Sequence, residues 1–218
     1  MILDLIALFV ASCCILIYFI MILYGLKFPE KTKRGSLNLI YEKWVERRLL
    51  PEQNPIVAVQ AMRNLIMANS IFISALLVLL GILVGFDDII FSNGEFISGE
   101  VVLNLGQVQI VFIGLIIVFS LVNFVLAVRL IVRFTLLISM DPGSTIICGM
   151  DGTVFTKRTL TSAQNHWLLG LRGLFFLLPV LSWLINPLFC IIGVVIVTFY
   201  LIFFEDIFKF ESNQKNNC

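Results

Sequence analysis

Several apolar stretches in this chain run without interruption for about the length that is needed to cross a lipid bilayer. A helix rises about 1.5 Å per residue, so about 20 apolar residues span a hydrocarbon core of roughly 30 Å. Inside lipid every backbone N–H and C=O group needs an internal partner, which leaves only helices and closed barrels. The runs do not alternate apolar and polar residues. The sequence therefore predicts an all-α fold, a polytopic transmembrane helical bundle.

Five spans are favoured, and the whole chain is interpreted as a single integral membrane domain. The predicted spans cover residues 2–25, 65–86, 108–128, 167–185 and 188–205. The last two come from one apolar region that is too long for a single straight crossing. Asn186 and Pro187 favour an interfacial turn there, because proline disfavours helix at the residue before it. Four spans with a kinked last helix are the alternative.

The distribution of Lys and Arg predicts the orientation. Residues 27–55 carry seven of them and residues 129–172 carry five, whereas residues 87–106 carry none. Under the positive-inside rule, segments 27–55 and 129–165 are cytoplasmic and the 87–106 loop is extracytoplasmic. Within the second cytoplasmic segment, the helical pattern continues to Ser139 and a loop is expected up to Asn165. We expect a multi-pass protein of the cell membrane, with its N-terminus outside and, for five spans, its C-terminus cytoplasmic.

The first cytoplasmic segment contains a short amphipathic helix between Ser36 and Arg48. Its apolar residues share one face at helical spacing, namely Leu37, Ile40, Tyr41 and Trp44. Such a helix suits the membrane surface, where an apolar face sinks into the headgroup layer. The same pattern suits a helix that packs on the cytoplasmic end of the protein itself. The sequence leaves these two interpretations open.

Small and polar residues mark predicted contacts between spans. The second span places small residues close to one face: Ser70, Ser74, Gly81 and Gly85. Small residues let helix backbones approach, so internal packing is favoured over a homodimer face. Asn69 and Asn123 lie inside spans, where amides usually bond across helices.

Basic side chains near the cytoplasmic ends of the spans form the candidate binding site. Charged groups at such positions are costly and count as functional hypotheses. The candidate cluster for an anion or a lipid headgroup comprises Arg63, Arg129, Arg133, Arg172 and His166. Guanidinium groups bind phosphate bidentately, so an anionic phospholipid is an expected ligand. Ordinary anchoring, with side chains that reach the headgroups, is the simpler interpretation.

Catalytic, metal and cofactor sites are not expected. The chain has one histidine, no CxxC pair, and no Walker or GxSxG element. No pair of carboxylates falls inside a predicted span. A formal net charge of +1 gives no reason to expect a nucleic-acid partner.

Several stretches resemble a family of membrane proteins of unknown function, DUF599. They are YEKW at 41–44, AMRNLIMANSIFISA at 61–75, LG at 80–81 and FFLLPVLSWLINP at 175–187, together with residues 123–129 and 165–172. The resemblance covers most of the chain. It implies an integral membrane fold, assigns no activity, and supplies no catalytic residues.

Two classes of function follow from these features. The favoured one is a non-enzymatic membrane module: an accessory subunit, a scaffold, or a protein that binds anionic lipid. The alternative is a small oligomeric channel or carrier for an anionic solute, which needs a polar path past Asn69 and Asn123. The expected partners are the lipid bilayer, an anionic phospholipid, and either a second copy of the chain or a partner subunit.

Overall fold

A computed structural model of the chain describes residues 2–27, 33–50, 54–85, 105–140, 146–147 and 149–203. The fold is all-helical, as predicted. The described helices are α1 (Ile2–Lys27), α2 (Lys33–Arg48), α3 (Pro55–Gly85), α4 (Leu105–Ser139), α5 (Gly152–Ser182) and α6 (Pro187–Tyr200). Two short strands, β1 (Ile146–Ile147) and β2 (Met150–Asp151), pair antiparallel before α5. The predicted loop at 87–106 lies mostly outside the described residues, and Gly149 turns between the strands with a φ of 75°.

Three of the described helices are long and apolar enough to cross a bilayer. They are Ile2–Gly25 within α1, Pro55–Gly85 in α3, and Gly106–Ser139 within α4. The first three predicted spans fall in these helices, apart from Phe86 at the end of the second, which lies outside the described residues. Helix α4 continues to Ser139, where the sequence pattern ends. This architecture is consistent with a membrane protein, and the number of spans beyond three stays a prediction.

The last apolar region is broken at the position that the sequence indicated. Helix α5 ends at Ser182, and α6 begins at Pro187. Asn186 caps α6 in an extended conformation, and its side chain accepts a hydrogen bond of 2.9 Å from the Leu188 N–H. Pro187 stands at the start of the helix, where its missing N–H costs nothing. Helices α5 and α6 pack against each other. We call the end of the bundle with this turn the hairpin end.

The loop that was expected up to Asn165 is wrong over its second half, because α5 already begins at Gly152. Asp151 caps the helix, and its carboxylate accepts hydrogen bonds from the backbone N–H of Thr153 at 3.0 Å and from its hydroxyl at 2.7 Å. The following residues are rich in threonine, which favours helices only weakly. Their hydroxyls bond to carbonyls one turn back, as Thr156 does to Gly152 at 2.7 Å. The first part of α5 has no apolar repeat at helical spacing, so the sequence pattern did not predict a helix there.

The core has two parts, and both are built around α4 and α5. The larger apolar cluster lies between the span-length helices and the hairpin, with Ile117, Phe124 and Val180 fully buried. The smaller cluster lies at the opposite end, which we call the α2 end. It buries the following apolar side chains: Val45, Ala58, Met62, Ile131, Phe134, Ile138, Leu160 and Ala163. Helix α2 therefore packs on the protein itself.

The predicted internal packing face on α3 is wrong. Ser70, Ser74, Gly81 and Gly85 are all exposed, and a Cβ atom at either glycine would meet nothing within 4 Å. A row of small residues does not by itself show which face of an apolar helix meets its neighbour, because lipid and protein interior are both apolar. Within the described residues, the close backbone approaches are instead on α5 and α6. A Cβ atom at Gly173 would lie 2.0 Å from the Ser120 Oγ.

Candidate functional site

Three of the candidate arginines lie on the outer surface near the α2 end. Arg63 on α3 and the pair Arg129 and Arg133 on α4 all have exposed side chains. The ring of Phe72 on α3 stacks on Phe124 of α4 at 5.3 Å, and a Cβ atom at Gly114 would lie 3.6 Å from the Leu83 side chain, so the two helices run antiparallel. Extending this register toward the α2 end places Arg63 at the level of Arg133.

The two α4 arginines share one outward face. They are one turn apart, and the buried residues nearest to them in sequence, Ala127, Ile131 and Phe134, lie on the other side of the helix. Both side chains therefore point away from the protein core. We call Arg63, Arg129 and Arg133 the exposed rim.

Arg172 does not belong to this rim. Its side chain is only 4% exposed, and its guanidinium carbon lies 5.7 Å from the centre of the Tyr18 ring on α1. That distance is within the range of a cation–π contact, which strengthens where water is excluded. The structure therefore separates the four predicted arginines into three exposed side chains and one that is held inside the bundle.

His166 and Asn123 form a part-buried polar contact between α5 and α4. The His166 Nδ1 and the Asn123 Oδ1 are 3.0 Å apart. The Asn123 Nδ2 donates to the Phe119 carbonyl at 2.9 Å, which fixes the orientation of the amide. Asn69, on α3, is fully buried, and its Nδ2 donates to the Leu65 carbonyl of its own helix at 2.8 Å. Of the two amides predicted to bond across helices, Asn123 has such a contact in the described residues, with His166 of α5.

No polar path continues from this level to the hairpin end in the part of the chain that the structure describes. Ser120 is the buried polar residue of α4 nearest to that end, and its hydroxyl bonds to the Ile116 carbonyl. The buried side chains beyond it are apolar and include Leu83, Ile113, Leu177, Val180 and Trp183. At the hairpin end itself, the Trp183 Nε1 donates to Asp4 at 3.4 Å, and Gln109 donates to the same carboxylate at 3.5 Å.

Sequence reasoning counted Arg34 only as a positive charge and missed its position. Its side chain is 5% exposed, and its Nε donates to the Asn165 Oδ1 of α5 at 3.1 Å. It lies on the face of α2 that also carries Tyr41 and Val45, which follow at helical spacing. This spacing was the feature of the sequence that could have predicted the burial of Arg34. The bond helps to fix the start of α2 to the bundle.

At the other end of α2, a second polar contact reaches α5. The Lys157 Nζ and the Glu46 carboxylate form an ion pair, with side chains that are 23% and 58% exposed. An ion pair so accessible to water contributes little to stability, but it defines which side of α2 faces Lys157. Among the described residues, no three His, Cys, Asp or Glu side chains come together as a metal site would require.

These features define a helical protein with three helices of membrane-spanning length and a polar, basic end. The chain belongs to the family described as "Protein of unknown function, DUF599", whose model matches residues 6–210. This match confirms the resemblance seen in the sequence. No curated protein and no solved structure matches the chain.

Proposed function

We propose that this chain is a non-enzymatic module of the cell membrane that binds anionic phospholipid at the exposed rim. The observation that carries the proposal is that Arg63, Arg129 and Arg133 are all exposed near the α2 end. They lie near the ends of predicted spans, where lipid headgroups are expected.

The chemistry of the rim fits a phosphate-bearing headgroup. Guanidinium groups present paired donors to phosphate, and each basic residue near an anionic surface contributes about 1 kcal/mol. The bias of Lys and Arg supports a cytoplasmic α2 end, on the side where anionic lipids are concentrated. With five spans, the N-terminus is then outside and the C-terminus cytoplasmic.

A transport role is a weaker proposal for a single chain. A channel or carrier for an anion needs polar groups through the full thickness of the membrane. The buried side chains between Ser120 and the hairpin end are apolar in the described part of the bundle, which supports the module. The buried Arg172 contacts the ring of Tyr18, so in this proposal it stabilises the packing of α1 against α5 and does not bind a solute.

Native mass spectrometry of the whole chain, released from vesicles of phosphatidylcholine and phosphatidylglycerol, tests the proposal. The double variant Arg129→Gln, Arg133→Gln removes two charges from the outward face of α4. We expect it to lose most of the retained phosphatidylglycerol while keeping phosphatidylcholine.

The matched control is Arg158→Gln, which removes an exposed arginine at the same end of the bundle whose guanidinium contacts the Met150 sulfur at 3.4 Å. This control should retain phosphatidylglycerol as the native chain does. Equal retention by the double variant and the native chain would reject the rim as a lipid site and leave nonspecific anchoring.

A further inference from the structure

The exposed surface of α2 is divided into two flanks of different chemistry. At about 100° per residue, Leu37, Ile40 and Arg47 fall on one flank, with Lys43 at its edge. Glu42 and Glu46 fall on the opposite flank. All of these side chains are exposed. Leu37 and Ile40 therefore share a flank with the basic residues, and the acidic residues of the helix share the other.

The protein covers only part of the apolar face of α2. Val45 is fully buried, and Trp44 is half-buried against Phe134, with ring centres 6.2 Å apart. By contrast, Leu37 is 37% exposed and Ile40 is 58% exposed. Packing on the bundle thus accounts for one half of the amphipathic pattern and leaves the half with Leu37 and Ile40 uncovered.

Two contacts with α5, one near each end of α2, show the direction in which α2 runs. Arg34, at the start of α2, bonds to Asn165, which lies next to the predicted fourth span. Glu46, on the acidic flank, pairs with Lys157 in the second turn of α5, which is farther from that span. Helix α2 therefore starts beside the predicted membrane region and runs away from it along α5, so Leu37 and Ile40, in its second turn, lie near that region. The acidic flank meets α5 at Lys157, and the flank with Leu37 and Ile40 lies on the other side and is exposed.

We propose that this flank of α2, carrying Leu37, Ile40, Lys43 and Arg47, lies in the headgroup layer of a bilayer that contains anionic phospholipid. Leucine and isoleucine sink toward the acyl chains, and the long basic side chains reach the phosphates. Separation of the acids onto the far flank removes the repulsion that an anionic surface would otherwise exert. The two interpretations of the amphipathic sequence then apply to two sides of one helix.

This surface is distinct from the exposed rim on α3 and α4. The inference uses none of the rim arginines and requires only that the chain crosses a bilayer. Either proposal can fail while the other holds, because lipid retention by mass and the depth of α2 are separate measurements on different residues.

Nitroxide labels on the full chain in vesicles of equimolar phosphatidylcholine and phosphatidylglycerol test the orientation. The variants Leu37→Cys and Ile40→Cys report on the proposed flank. Leu39→Cys is the matched control, because Leu39 is 55% exposed and lies toward the acidic flank. The chain without a substitution, labelled in parallel, gives the background from the native cysteines.

Collision rates with oxygen, which concentrates in lipid, and with a water-soluble nickel chelate are then compared. Labels at 37 and 40 should collide more often with oxygen and less often with nickel, and the label at 39 should show the reverse. If labels at 37 and 40 are as accessible to nickel as the label at 39, the proposal is overturned.

The contribution of charge is tested on the chain labelled at position 40. Lys43→Gln should shift the population toward the nickel-accessible state by about five-fold, the effect of one basic residue at an anionic surface. Glu42→Gln, the adjacent residue on the other flank, should not produce this shift. Equal behaviour of the two variants would reject recognition of anionic lipid by α2.

Discussion

The Nδ1 of His166 lies 3.0 Å from the Oδ1 of Asn123, across the contact between α5 and α4. Because the Asn123 amide nitrogen donates to the Phe119 carbonyl, its oxygen is the atom that faces the ring. An amide oxygen only accepts, so the His166 Nδ1 carries a hydrogen in both the neutral and the charged imidazole. A part-buried polar contact of this kind helps to fix the rotation of one helix against another.

This assignment predicts an unusual tautomer for His166. Nitrogen NMR of the labelled chain should show a protonated Nδ1 and, when the ring is neutral, an unprotonated Nε2. The Asn123→Leu variant removes the acceptor and should release the ring to an Nε2–H or mixed form. A native spectrum with hydrogen on Nε2 alone would contradict the contact.

Close packing at Gly173 predicts a steric penalty that the α3 glycines lack. Gly173→Ala would place a Cβ 2.0 Å from the Ser120 Oγ, so we expect a loss of about 1–3 kcal/mol in the free energy of unfolding. Gly81→Ala is the control, because its Cβ meets nothing within 4 Å, and it should be neutral or stabilising by up to about 1 kcal/mol.

Ser120→Ala provides a second check on the same contact. It removes the clashing hydroxyl, while the Ser120 Cβ would still lie 3.2 Å from the new methyl group. The double variant with Gly173→Ala should therefore recover part of the lost stability in denaturant titrations in detergent. Identical losses in the single and double variants would place the strain elsewhere.

Because Arg34 bonds to Asn165, we predict that a substitution at Asn165 on α5 weakens the attachment of α2 to the bundle. Asn165→Ala removes the acceptor at 3.1 Å, and a hydrogen bond from a charged donor contributes about 1.5–3 kcal/mol. Hydrogen exchange should accelerate in α2 and remain unchanged near the hairpin end. Thr161→Ala, at a part-buried position one turn earlier whose hydroxyl bonds only to its own helix, should leave exchange in α2 unaltered.

The cap at the start of α5 predicts a pH dependence below neutrality. Hydrogen bonds from the hydroxyl and backbone N–H of Thr153 hold the pKa of Asp151 below its ordinary value of 3.8. A lowered pKa means that the cap stabilises the folded chain fully above that ordinary value. The contribution is lost as the pH falls through the lowered pKa.

The amide shift of Thr153 reports this titration directly. It should stay constant above the ordinary pKa of aspartate and move upfield in more acidic solution as the hydrogen bond weakens. In Asp151→Asn, the side chain still caps the helix but does not titrate, so the shift should stay constant. A native shift that is constant throughout would mean that Asp151 does not cap α5.

The sequence predicted the span-length helices and the break at Asn186 because both depend on local chemistry. Apolar length and a capped proline turn can be read without knowledge of neighbours. The face on which α3 packs could not be predicted, since an exposed glycine such as Gly81 and a packed one such as Gly173, which lies against Ser120, look alike in a string of residues. The position of Arg34 likewise depends on Asn165, which is distant in the chain.

The prediction of a loop where α5 begins was wrong for a different reason. Threonine hydroxyls such as that of Thr156 donate hydrogen bonds to carbonyls of their own helix. This polar stretch is therefore helical although it has no apolar stripe that would predict a helix. The burial of Thr156 and Thr159 comes from the contact of α5 with its neighbours, which only the assembled structure contains.

Helix α5 runs without a break for 31 residues, from the cluster at the α2 end to the turn at the hairpin end. At about 1.5 Å per residue it is a rod of roughly 45 Å, longer than the hydrocarbon core is thick. A tilt of this rod would move both ends in opposite directions. The α2 end is therefore built on the same helix as the apolar bundle, so the two clusters cannot change their relative position without bending or breaking α5.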